Sequence, residues 1–79
     1  MSREEIFETL TEVFADVFDR EDIELTETTT AKDVEGWDSL THIALLASVE
    51  DEFDIKFDMK EVQGLKDVGA MADAIEKLL

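Results

Sequence analysis

The residues best placed to do chemistry in this chain of 79 sit together: Asp38-Ser39-Leu40, with His42 three positions after the serine. A hydroxyl near an imidazole suggests a nucleophile and its base. Residues three apart on a helix are neighbours, but that spacing alone does not aim the serine proton at the ring, and no oxyanion hole or enclosed cleft is legible. His42 reads instead as a half-buried, hydrogen-bonded residue. The chain has no cysteine and one histidine, which excludes disulfides, thiolate metal sites and multi-histidine sites. Acidic residues are plentiful, yet the calcium-loop pattern D-x-[DN]-x-[DN]-G is absent, including around Asp33-Val34-Glu35-Gly36, so no specific metal site is expected.

The element that must position Ser39 is a helix. Gly36 breaks the chain, Asp38 suits an N-cap, and an apolar pattern starts at Leu40, which predicts a helix over Ser39–Phe53. That helix carries two stripes. One holds His42, Leu46, Val49 and Phe53, with Leu45 beside them; the other holds Leu40, Ile43, Ala44 and Ala47 and runs on to Glu50 and Asp51. A bundle helix needs only one buried stripe, so the second is available to something outside the fold. Trp37, just before the cap, suits a staple-like contact that packs the loop on the bundle.

Around this helix the chain reads as α throughout. Ile6, Phe7, Leu10, Val13, Phe14, Val17 and Phe18 recur at helical spacing behind a Ser2…Glu5 capping pattern, predicting a helix over residues 3–18. Residues 19–37 have no such period and form a long loop, with a turn of helix expected near Thr30–Val34 and with Ile23, Leu25 and Val34 pinning it to the core. Asp58 and Glu61 cap a short helix over Met59–Gln63 that Gly64 ends, and Asp67 caps a last helix whose Val68, Met71, Ala72, Ile75 and Leu79 share a face. Ile55 or Phe57, in the connection before the short helix, is expected in the core.

Seven basic against 22 acidic residues give a net charge of −15. That sign opposes binding to nucleic acid or to an anionic membrane surface and favours basic partners. Hydrophobic residues at 44%, in patterned order, argue against disorder. No apolar run approaches the roughly 18–20 residues of a membrane span, and the mixed, acidic start MSREEIFETL does not read as a signal peptide. The expectation is one domain over 1–79, cytoplasmic and monomeric.

At Gly36-Trp37-Asp38-Ser39-Leu40 the sequence resembles the acyl carrier protein family, whose attachment motif is Asp-Ser-Leu at the start of its second helix. Val49-Glu50-Asp51-Glu52-Phe53 is similar to the family's acidic, phenylalanine-ended helix, and size, helix order and long first loop agree over essentially the whole chain. The resemblance implies a four-helix bundle of three long helices and one short, with 4′-phosphopantetheine esterified to Ser39 by a phosphopantetheinyl transferase. The arm's thiol then carries acyl groups as thioesters. Asp38 is implied as helix cap and transferase recognition residue, and backbone N–H groups left open at the helix start favour a phosphate. Leu40, Ile43, Ala44, Ala47, Glu50 and Asp51 are implied as the face that acyl-loading, condensing or modifying enzymes dock on through basic and apolar patches. Leu46, Val62, Leu65 and Val68 are implied as lining an acyl cavity.

The resemblance has departures. Primary fatty-acid carriers typically continue Asp-Ser-Leu with an acidic residue and carry a glutamate further along the docking face; here Thr41 and His42 follow Leu40, and Ala44 and Ala47 occupy that face. Trp37 and the Glu35-Gly36 step also differ from the usual Leu-Gly approach. The expectation is therefore a carrier without catalysis of its own, serving a specialised lipid or polyketide pathway rather than general fatty acid biosynthesis. Two alternatives stay open: a carrier of aminoacyl or peptidyl groups, and an acidic interaction protein that carries nothing.

Overall fold

A computed structural model describes residues 2–65 and 67–79, and among them are four helices and no strand: α1 (Arg3–Phe18), α2 (Ser39–Phe53), α3 (Met59–Gln63) and α4 (Val68–Leu78). The boundaries follow from the caps. At α1, Ser2 Oγ accepts the Glu5 N–H and the Glu5 carboxylate accepts the Ser2 N–H. Asp38, Asp58 and Asp67 open the other three helices, each carboxylate satisfying N–H groups that have no partner within the helix and complementing its positive end. α1 and α2 both stop where an aspartate, Asp19 or Asp54, turns left-handed, with φ of 53° and 55°.

α1 is the packing centre and lies against α2 and α4. Ile6, Leu10 and Phe14 of α1 meet Leu45 and Val49 of α2 and Val68, Met71 and Ile75 of α4 in a fully buried core. Ile55 is buried and Phe57 half-buried, so both residues of that connection reach the core. Leu79, expected on the buried face of α4, lies past its last turn and is 54% exposed.

The long loop over residues 19–38 is fastened more by backbone than by apolar contacts. Val34 and Trp37 are buried and Ile23 and Leu25 half-buried, but the loop also lends carbonyls to the start of α4: Val68 N–H donates to Thr29 O and Gly69 N–H to Glu27 O, both at 2.9 Å. Thr29, itself buried, accepts the Thr26 N–H on its hydroxyl. The turn of helix expected at Thr30–Val34 is a plain turn. The Asp33 carboxylate takes both the N–H and the hydroxyl of Thr30, which closes the turn locally. Arg3 ties this loop to both ends of the chain, donating to Glu27, Asp73, Glu76 and the Gly69 carbonyl while its guanidinium lies 5.6 Å from the centre of the Phe7 ring.

Candidate functional site

Ser39 is the first residue of α2 and is exposed. The approach to it turns at Gly36, whose φ of +92° few other residues adopt. The junction is then braced. The Asp38 carboxylate accepts the N–H groups of Leu40 and Thr41 at 3.0 Å each, and the Thr41 hydroxyl accepts the Asp38 N–H and donates to the Gly36 carbonyl, both at 2.8 Å. These bonds, that from the Thr41 N–H foremost, hold the Asp38 carboxyl below its ordinary pKa. They also correct one expectation: two of the backbone donors expected to stay open for a phosphate are taken by Asp38.

Trp37 is 7% exposed, edge-on to Phe14 with ring centres 5.1 Å apart. It precedes the cap and meets His42, the fourth residue of α2, in a staple. The indole Nε1–H donates to His42 Nδ1 at 3.0 Å and the two rings stack at 5.9 Å. The imidazole is half-buried, and burial pushes its pKa below the ordinary value. His42 is thus hydrogen-bonded to the tryptophan rather than aimed at the serine hydroxyl.

Beside Ser39 lies a shallow cavity of about 240 Å³ lined by Ala31, Trp37, Asp38, Ser39, His42 and Leu65. The expected acyl cavity is not gathered in this way. Leu46 and Val68 are spent in the packed core, Val62 stands at the surface 37% exposed, and only Leu65 of the four lines the cavity beside the serine.

The second stripe of α2 is open to solvent. Leu40 is 80% and Ile43 68% exposed, Ala44 and Ala47 are exposed too, and α3 adds Met59 at 79%. Of the two acids expected on this face, Asp51 is exposed, but Glu50 is half-buried and its carboxylate accepts the Phe57 N–H at 2.8 Å, bracing the connection after α2. Sequence reasoning missed that role because the partner is a backbone group seven residues on. Among the described residues no three His, Cys, Asp or Glu side chains converge on a metal position, and no helix is long and apolar enough to cross a membrane.

A four-helix bundle that displays a serine at the start of its second helix, beside an apolar face, has known counterparts. Residues 8–75 match the family described as a phosphopantetheine attachment site. The acyl carrier protein of Exiguobacterium sibiricum is 33% identical over 76 residues, 96% of each chain. The solution structure of holo acyl carrier protein from Geobacter metallireducens is similar with a TM-score of 0.87 and 44% identity, over 92% of this chain and 84% of that one. The chain belongs to the acyl carrier protein family, whose prosthetic group is 4′-phosphopantetheine.

Proposed function

We propose that Ser39 carries the 4′-phosphopantetheine arm and that the chain presents acyl groups to the enzymes of a specialised lipid or polyketide pathway, without catalysis of its own. The observation that carries this reading is the exposed Ser39 hydroxyl on a braced helix start, between a shallow cavity and a solvent-exposed apolar stripe. When bound, the arm supplies a terminal thiol that holds acyl groups as thioesters. The rest is the chain's own work. Asp38 fixes the turn so that a phosphopantetheinyl transferase meets the hydroxyl in one geometry, and offers that enzyme an ionised carboxylate. Trp37, Ala31 and Leu65 give the base of the arm an apolar floor. Leu40, Ile43, Ala44 and Ala47 form the docking stripe, with Asp51 at its acidic end, and the net charge of −15 draws basic partners in. The carrier acts in the cytoplasm, as a monomer.

The specialised pathway is favoured by the centre of that stripe, where Ala44 and Ala47 stand instead of carboxylates, and by the uncharged Thr41 that follows Leu40; such an interface relies on shape and apolar contact. Incubation with coenzyme A and a transferase is expected to add one phosphopantetheine, at Ser39 and not at Ser2 or Ser48, and Ser39→Ala is expected to fold and stay unmodified. Continued modification of the Ser39→Ala chain defeats the assignment. If fatty-acid synthase enzymes of the same cell elongate acyl groups on this carrier as fast as on the main one, the pathway assignment fails and the general role replaces it. Loading by an amino-acid-activating enzyme in preference to an acyl-loading one would make it an aminoacyl carrier.

A further inference from the structure

We propose that His42 positions the prosthetic arm by donating its Nε2–H to the phosphodiester on Ser39; this rests on Ser39 carrying the arm. The tautomer follows from the tryptophan. An indole nitrogen only donates, so the Trp37 Nε1–H bond to His42 Nδ1 at 3.0 Å requires Nδ1 to be unprotonated, and the neutral ring carries its proton on Nε2. The ring and Ser39 lie three residues apart on α2 and line the same cavity.

Several donors of the junction are already engaged. Asp38 takes the Leu40 and Thr41 N–H groups, the His42 N–H goes to the Asp38 carbonyl at 2.8 Å, the Thr41 hydroxyl donates to Gly36, and the indole N–H is on the imidazole. Among the side chains that line the cavity, Ala31 and Leu65 have no polar atom and Asp38 repels an anion. Among the described side chains that line the cavity, the Nε2–H of His42 is the donor left over. Asp38 is the other ionisable group of the lining, and its charge is already engaged by backbone N–H groups. An anion bound beside His42 favours the imidazolium, so attachment of the arm must raise the pKa that burial lowers.

The test compares apo and holo protein, with the arm on Ser39 verified by mass. His42 is the sole histidine, so its NMR titration is unambiguous. The midpoint is expected to be higher in the holo form by about half a pH unit or more, and the ³¹P resonance of the phosphodiester is expected to shift over the same pH range. His42→Gln, which cannot titrate, is expected to flatten that ³¹P response. A phosphodiester that lies away from His42 predicts one midpoint in both forms, and that result overturns the proposal, as does a ³¹P response that survives His42→Gln. Should the variant fail to fold, the wild-type apo and holo titrations still decide. Failure of the mass shift at Ser39 sinks the carrier assignment and this inference with it; a normal mass shift with an unmoved His42 sinks the inference alone.

Discussion

α4 and α3 use the same kinds of residue to opposite ends. Val68, Met71, Ala72 and Ile75 of α4 are buried against α1, whereas Met59 and Val62 of α3 stand in solvent, as do Leu40 and Ile43 across the start of α2. Burying a side chain of this size is worth about 1.5–3 kcal/mol. The α1–α4 side has collected that energy in folding; the face around Ser39 has not. Apolar content therefore does not distinguish the packed faces from the exposed ones here; what does is which stripe of each helix finds another helix.

Truncation on the two sides breaks the comparison most directly. Phe14→Ala removes a fully buried ring and is expected to cost about 3–5 kcal/mol in chemical denaturation. Leu40→Ala is expected to change stability by no more than about 0.5 kcal/mol, its side chain having little to lose. Ile43→Asp should leave helix content unchanged by circular dichroism and abolish acyl transfer with a dedicated partner enzyme. Similar stability losses for Phe14→Ala and Leu40→Ala would show that the Ser39 face is packed after all.

Glycines sharpen the same contrast. A Cβ added at Gly69 would stand 2.5 Å from the Glu27 carbonyl oxygen, where the long loop crosses α4, while one at Gly64 would meet nothing closer than 3.6 Å. Gly69→Ala must push the loop off α4 and lose its bond to Glu27, an expected cost of about 1–3 kcal/mol. Gly64→Ala is expected to melt close to wild type. Equal melting temperatures for the two variants would mean that the loop yields freely.

Most of the fold was legible because each helix is announced by a local device. Ser2, Asp38, Asp58 and Asp67 act on N–H groups two or three residues away, a distance that sequence spacing reports directly. The exposed stripe of α2 was legible for a similar reason, since period and helix start together fix which residues share a face. What spacing does not report is contact at long range or with backbone. Arg3 reaches Glu27, Asp73 and Glu76 across 24, 70 and 73 positions. Glu50 looked like part of the docking face because its use, on the Phe57 N–H, leaves no trace in residue type. The partner of His42 was likewise hidden, although its position in a staple with Trp37 was a usable signal.

The Arg3 hub makes a smaller and salt-dependent prediction. In a chain of net charge −15, one guanidinium holds three carboxylates from the loop and α4 together at α1. Wild-type protein is expected to melt higher as salt screens its self-repulsion. Arg3→Gln leaves the three carboxylates facing one another, so its deficit should be largest at low salt and should narrow as salt is added. A deficit independent of salt would make Arg3 a packing residue, through its contact with Phe7, rather than a charge hub.

The smallest effect expected comes from His42, which sits where the packed and the exposed sides meet. Its pKa is lowered in the folded state by burial, so folding favours the neutral ring. The unfolded chain then binds the proton more readily than the native one, and stability must rise with pH wherever the two differ. Above the ordinary histidine value of 6.5 both states are neutral and the contribution is whole; it drains away as pH falls below 6.5 and through the lowered folded value. Protonation of Nδ1 would also end its role as acceptor for Trp37 and release the staple. The carboxylates of so acidic a chain shift with pH as well, and for that reason the informative quantity is the difference between wild type and His42→Gln, measured as denaturation midpoints from pH 7.5 down to about 5. In the apo protein that difference is expected to shrink as the solution is acidified. The proposed arm would oppose the burial effect and bring the folded value back toward 6.5, so in the holo protein the difference should shrink less over the same pH range. A wild-type advantage that stays constant over this range would mean that the Trp37–His42 contact stabilises the helix start equally whether or not the ring is protonated, and the link between the two sides of the molecule would then be packing alone.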